Sequence, residues 1–233
     1  MRTYRVCFID VPSIEGLRFG RRRPRLGPMK GTCFYVADPM CSWCWAFAPI
    51  IDEVAGALPA EVELRYVLGG LAPDSDVPMP EEMQKKLQAT WRTIAARTGT
   101  EFNFDFWKAC KPRRSTYPAC RAVLAAKTQE TAKTSAMFRA IQRAYYQEAR
   151  NPSDTETLTE LASEIDLDVD RFVTDLVSPH IEEELKKCFN ERRRLNAYAF
   201  PSLIIEFDGT SNWITEGYAP ASDVLPRVAA RLG

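Results

Sequence analysis

Tyr35-Val36-Ala37-Asp38-Pro39-Met40-Cys41-Ser42-Trp43-Cys44-Trp45 runs from a strand-like segment, across a proline-marked break, into two cysteines separated by two residues. Behind them Trp43, Cys44, Phe47, Ile50, Ile51, Val54 and Leu58 recur at three- and four-residue steps, the pattern of one buried helix face. Cys41 therefore falls in the first turn of a helix, where unpaired backbone N–H groups and the helix dipole favour negative charge. Such a setting turns a thiol into a thiolate. A free cysteine, with pKa about 8.5, is only slightly ionised at neutral pH, whereas one lowered to about 6.5 is roughly three-quarters ionised.

The spacing alone is a weak signal in a chain with 7 cysteines; its place at a strand-to-helix junction is what marks it as a redox pair. The competing readings are half of a zinc site or two small buried hydrophobes. A four-ligand zinc site needs a second close pair, and Cys7, Cys33, Cys110, Cys120 and Cys188 offer none, while His180 is the one histidine. No metal is expected.

At 233 residues the chain fits one large domain, or one domain carrying an insertion. Its formal net charge is zero, which argues against a nucleic-acid partner or an electrostatic membrane surface. No apolar run approaches a membrane span. An odd cysteine count leaves at least one unpaired in a monomer, and the scattered spacing is not that of a secreted disulfide framework. Residues 1–28 differ from the rest. Arg2, Arg5, Arg18, Arg21, Arg22, Arg23 and Arg25 face only Asp10 and Glu15. The apolar run Val6 to Val11 is too short for a signal-peptide core, and the arginines follow it where a secretory signal would put them first. The segment reads as a dispensable, flexible basic extension, the product of an upstream start codon chosen in error, since Gly27-Pro28-Met29-Lys30 looks like a fresh start. A basic docking arm is the sharper alternative. With no export signal, the expected location is cytoplasmic.

Taken in order, Thr32 to Ala37 reads as a first strand. The first helix is expected from about Cys41 to Leu58, kinked by Pro49. Val62 to Leu68 reads as a second strand ended by Gly69-Gly70, parallel to the first through a right-handed crossover. From Pro73, Pro78 and Pro80 onward the pattern turns helical. Met83, Leu87, Trp91 and Ile94 form one stripe ended by Gly99, and a loop carries Phe102, Phe104, Phe106 and Trp107. Pro118 opens a helix with Cys120, Val123 and Leu124; Ala136 to Tyr146 follows; Ser153 or Asp154 and then Asp168 cap two more. Ile181, Leu185, Cys188, Phe189 and Leu195 mark a long helix whose other face holds Lys186 and Arg192 to Arg194, a solvated face or the lip of a cleft. Phe200 to Phe207 reads as a strand with Pro201 at its start, Asp208-Gly209 as a hairpin turn, Trp213 to Thr215 as its partner, and Val224, Val228 and Leu232 as a closing helix.

Assembled, the order is β-α-β, a helical block, then α-β-β-α. It resembles the α/β thioredoxin fold with an all-helical insertion, as in DsbA-like disulfide oxidoreductases, over residues 31–233. Asp38-Pro39-Met40-Cys41-Ser42-Trp43-Cys44-Trp45 and Tyr117-Pro118-Ala119-Cys120-Arg121-Ala122 resemble the FrnE-like branch, described as predicted protein-disulfide isomerases, and Pro49 matches the kinking proline of thioredoxins. The resemblance divides the chain into the extension 1–28, a thioredoxin-fold domain from 29–72 and 181–233, and a helical insertion 73–180. It implies that Cys41 is the attacking thiol, Cys44 the resolving thiol and Pro201 a cis-proline facing them, with Ser42, Trp43, Phe200 and Pro201 as substrate-binding residues. The two-residue spacing lets two sulfurs on one helical turn meet, so that Cys44 can resolve a mixed disulfide on Cys41, and a cis peptide would leave Phe200 a backbone edge for an extended substrate. The chain departs from the family pattern at two places. Ser42-Trp43 stands where DsbA has Pro-His, and Phe200 replaces the small or β-branched residue common before the cis-proline.

The expected function is thiol–disulfide oxidoreductase, reducing or isomerising disulfides of proteins or low-molecular-weight thiols. No tightly bound cofactor is expected, and glutathione is a candidate thiol co-substrate. On the same fold, glutathione-dependent isomerases and kappa-type glutathione transferases are a second class, typically with serine where Cys41 stands. A non-catalytic peptide-binding module is a third. Among secondary candidates, Cys120 reads as a buried helix residue, Asp38 as a turn residue that could tune the thiol, Glu63 as a candidate for the buried acid beside Cys44 in thioredoxins, and His180 as a helix N-terminal surface residue.

Overall fold

A computed structural model describes residues 31–232; the expected basic extension over 1–28 lies outside them, as does Cys7. Strand β1 (Gly31–Ala37) runs parallel to β2 (Val62–Leu68), pairing Gly31 with Val62 through to Ala37 with Leu68. Strand β3 (Ser202–Phe207) lies antiparallel on the other side of β1, and β4 (Thr210–Glu216) closes the sheet antiparallel to β3, giving the order β2-β1-β3-β4. This is the expected α/β sheet of a thioredoxin fold. Asp208 and Gly209, both at positive φ (49° and 76°), form the hairpin turn that the dipeptide announced. Strand β3 begins two residues later than expected, after a cis Phe200–Pro201 peptide.

Because β1 is central, alternate residues bury on both faces. Cys33, Tyr35 and Ala37 meet Phe47, Ile51 and Val54 on one side, while Phe34 and Val36 meet Val67, Leu195 and Ile204 on the other. The expected single kinked helix is two helices, α1 (Ser42–Ala46) and α2 (Ala48–Ala57), broken at Phe47 (φ −83°, ψ −5°). Pro49 occupies the first turn of α2 and has no N–H to return to the Trp45 carbonyl, so the chain restarts instead of bending.

Between β2 and β3 lie α3 (Glu81–Thr98), α4 (Phe106–Ala109), α5 (Tyr117–Gln129), α6 (Lys133–Tyr146), α7 (Thr155–Glu164), α8 (Val169–Leu176) and α9 (Pro179–Arg194); α10 (Ala221–Leu232) ends the described chain. Gly99 caps α3 in the left-handed region (φ 74°), and the Asp168 carboxylate accepts the Arg171 N–H at the start of α8. The short α4 falls inside the stretch read as a loop. Its Phe106, with Phe102, Phe104, Trp107, Tyr145 and Tyr146, rings the buried Trp91 at centroid distances of 4.9–6.1 Å. Tertiary packing of aromatic rings, which local propensity does not register, closes that turn. Helix α5 is buried nearly all round, on Ala119, Cys120, Ala122, Val123, Leu124, Ala125 and Ala126, so its small residues let neighbouring helices approach.

Candidate functional site

At the end of β1 the chain turns on Asp38. Its carbonyl accepts the Cys41 N–H at 3.0 Å and its Oδ1 accepts the Met40 N–H at 2.8 Å. Cys41 is the N-cap of α1 (φ −85°, ψ 118°), extended backbone just ahead of the helical residues. The residue is 8% exposed, and Cys44, one turn on, is fully buried.

The two thiols are driven apart. A hydrogen bond from the Cys44 side chain is the largest influence on Cys41 and lowers its pKa; burial opposes it, and the backbone N–H groups of Cys44 and Trp43 add to the lowering while Asp38 raises it. Burial pushes Cys44 well up, and its proximity to the Cys41 thiolate reinforces this. One sulfur is thus biased to the thiolate and its neighbour to the thiol that donates to it. When protonated, Cys41 Sγ faces the Phe200 carbonyl at 3.8 Å, the residue joined by the cis bond to Pro201.

The structure therefore brings Cys41, Cys44, Ser42, Trp43, Phe200 and Pro201 to one place. Met40, Cys41, Ser42, Trp43 and Phe200 line a cleft of about 320 Å³ whose other lining residues, Met79, Leu87, Trp91, Thr116 and Tyr145, come from α3, α6 and the segments leading into α3 and α5. The size is at the small end of ligand clefts. Arg114, exposed, and Tyr198, 61% exposed, stand at its rim. Trp43 packs against Tyr218 at 5.3 Å, with the Arg97 guanidinium 5.5 Å above its ring, while Trp45 stacks on Tyr146 at 5.8 Å.

Asp38 does more than turn the chain. It is fully buried, and its Oδ2 accepts the Leu71 N–H and the Thr116 hydroxyl, each at 2.7 Å, with Cys120 Sγ at 3.7 Å. Burial raises its pKa against the pull of those donors. Glu63, by contrast, is exposed and paired with Arg65, so the buried acid beside the thiols is Asp38. Cys120 lies in α5 as expected, and His180 is exposed in the first turn of α9. The sequence pointed to Arg192 only as part of a charge run; it lies 5.8 Å from the rings of Phe189, Tyr198 and Phe200 and donates to the Gly69 carbonyl at 2.6 Å. Among the described residues no group of three or more histidines, cysteines or carboxylates is placed to hold a metal ion, and no helix is long and apolar enough to cross a membrane.

Residues 34–217 match the model of the family described as Thioredoxin. Among solved structures, the chain is similar to a protein from Nitrosomonas europaea provisionally described as a protein disulfide isomerase, at 28% identity and TM-score 0.78 over 87% of this chain and 98% of that one. It is also similar to the cytosolic disulfide reductase DsbM from Pseudomonas aeruginosa, at 25% identity and TM-score 0.69 over 87% and 100%; a further structure of DsbM contains GSH. Among curated proteins it is 28% identical over 172 residues to the ClpXP adapter protein SpxH of Bacillus subtilis (strain 168), covering 73% of this chain and 56% of that protein. The chain thus spans little more than half the length of the curated relatives it matches. With its family match, sheet order, helical insertion and paired thiols at the head of α1, the chain belongs to the DsbA-like thioredoxin-fold family.

Proposed function

We propose that this protein is a thiol–disulfide oxidoreductase of the FrnE-like branch, acting in the cytoplasm on disulfides of proteins or low-molecular-weight thiols. The reading rests on one observation above all: Cys41 caps α1 with Cys44 one turn behind it and the Phe200 carbonyl, next to the cis bond to Pro201, 3.8 Å from its sulfur, an arrangement in which Cys44 lowers the Cys41 pKa while burial raises that of Cys44. In the reducing direction the Cys41 thiolate attacks one sulfur of the substrate disulfide, forming a mixed disulfide and expelling the other half as a thiolate that takes up a proton. Cys44 then loses its proton and attacks Cys41 Sγ, releasing the second half as a thiol and leaving a Cys41–Cys44 disulfide. Two electrons have passed to the substrate. Two molecules of a small thiol such as glutathione, oxidised to its disulfide, return the pair to the dithiol. The DsbM likeness supports both the cytoplasmic setting and a glutathione co-substrate. In this reading residues 29–72 and 181–233 form the redox domain, the insertion 73–180 supplies the far wall of the cleft, and Ser42, Trp43, Phe200 and Pro201 hold the substrate.

A Cys44→Ser variant tests the proposal. Multiple-turnover disulfide reduction should collapse while a mixed disulfide accumulates on Cys41; sustained turnover would instead favour a glutathione-dependent isomerase or transferase. The likeness to ClpXP adapters favours a second reading, in which the cleft holds a protein segment without chemistry. That reading gains if reduced Cys41 titrates near the free-cysteine value of about 8.5 and the wild-type protein turns over no disulfide.

A further inference from the structure

Gly69 follows directly on β2, and its backbone is pinned on both sides. Its N–H donates to the Ala37 carbonyl at 2.7 Å, continuing the β1–β2 ladder, and its carbonyl accepts Arg192 Nη1 at 2.6 Å. The Phe200 ring rests against the face of Gly69 that lacks a side chain. A Cβ placed there would stand 2.4, 2.6 and 2.7 Å from Phe200 Cζ, Cε1 and Cε2, closer than carbon atoms approach. The backbone cannot retreat without breaking the two hydrogen bonds. The Phe200 ring would have to move, and Arg192 lies over it at 5.8 Å. The cleft over Cys41, which Phe200 lines, is the side left open.

We propose that Gly69 is a specificity-determining positioning residue: by seating the Phe200 ring it sets how bulky a disulfide partner can reach the Cys41 sulfur. The inference rests on the oxidoreductase reading and deepens it, because it assigns the breadth of substrate choice to a residue pair outside the CxxC motif. It also gives the bulky residue before Pro201 a place to go. A large ring at position 200 is compatible with an open cleft only where position 69 carries no side chain.

The test compares the reaction of reduced Cys41 with a small alkylating agent, iodoacetamide, and with a bulky aromatic disulfide, dithiobis(nitrobenzoate), in a background lacking the other reactive thiols. In Gly69→Ala the rate with the aromatic disulfide should fall about tenfold while that with iodoacetamide stays within about twofold, a misplacement effect confined to the larger partner. Shrinking residue 200 in the same protein, Gly69→Ala with Phe200→Val, should restore the ratio. A Gly69→Ala ratio equal to wild type, or one that Phe200→Val leaves uncorrected, would overturn the proposal. If Gly69→Ala does not fold, Phe200→Ala alone carries the test: its ratio should rise above wild type, and an unchanged ratio counts against the seat. Steady-state reduction of the disulfides of insulin, with reduced glutathione as the electron donor, separates this inference from the one beneath it. Absence of wild-type turnover would defeat the oxidoreductase reading, whereas the two-reagent ratio reports the seat whether or not turnover occurs.

Discussion

At the scale of the residue, two buried groups govern the chemistry of the site, and each can be tested by itself. Cys44 is the principal group lowering the Cys41 pKa, through a hydrogen bond that exists only while Cys44 holds its proton. Removing that donor with Cys44→Ala should move the midpoint of Cys41 alkylation upward toward about 8.5. Cys44→Ser, whose hydroxyl still donates, should move it less. The sign is fixed by which form reacts: alkylation needs the thiolate, so wild-type reactivity is present above the lowered folded-state pKa and lost as pH falls through it. Asp38 runs the other way. Its folded-state pKa is raised by burial, so between the unfolded value of about 3.9 and the higher folded value the native chain binds more protons than the unfolded one. Stability from this group is therefore present at low pH and lost as pH rises through that window. Urea midpoints of wild type should carry that downward component and Asp38→Asn should lack it. In either orientation the asparagine amide also sets its NH2 against a backbone N–H, that of Met40 or that of Leu71, a donor where an acceptor is needed and a loss of about 1–3 kcal/mol.

At the scale of the element, α5 sets the tolerance of the insertion. Ala122 is fully buried between neighbouring helices, so Ala122→Leu forces extra methylenes into packed space and should cost about 1–3 kcal/mol. Thermal melting reads this as a drop of about 2–4 °C per kcal/mol for a chain of this size. What the sequence disclosed at this scale follows the range of the interactions. Strand β2 begins and ends at the residues its apolar run marked, Gly99 stops α3, and Asp208-Gly209 turns the hairpin, because each depends on neighbours a few residues away. The CxxC pair was legible for the same reason. The break at Phe47 was half legible: Pro49 announced a disturbance, but whether a helix bends or restarts depends on what it packs against. Asp38 reads from the sequence as a turn residue that could tune the thiol, but its other partners are not legible there because they lie 33, 78 and 82 residues along the chain, at Leu71, Thr116 and Cys120. Gly69 was read as a strand terminator, since nothing local says that a ring from position 200 lies against it.

At the scale of the whole molecule, the insertion and the sheet are tied across the cleft at several independent points. Asp38 joins the end of β1 to Thr116 and Cys120 at the head of α5. Trp45 stacks on Tyr146 of α6 and donates its Nε1–H to the Glu101 carbonyl at 3.1 Å. Arg97 of α3 lies over both Trp43 and Tyr218, at 5.5 and 5.8 Å, so a cation from the insertion closes on two rings of the sheet-bearing part. Arg139 of α6 reaches the Ala48 carbonyl and Asp52 at the head of α2. The buried residues of both parts also form one continuous apolar cluster. Elements joined in this way open together, because separating them exposes the shared apolar surface and orphans the Asp38 carboxylate at once. The expected outcome is a single unfolding transition, with near- and far-ultraviolet circular dichroism melting at the same temperature. Native-state hydrogen exchange should assign the amides of Tyr35 in β1 and Val123 in α5 the same opening free energy. An insertion that exchanged at distinctly lower free energy than β1 would mean that it folds as an autonomous unit. The cleft walls would then be free to move relative to Cys41, whereas a single cooperative unit keeps Trp91 and Tyr145 at a fixed distance from Cys41 across the cleft that all three line.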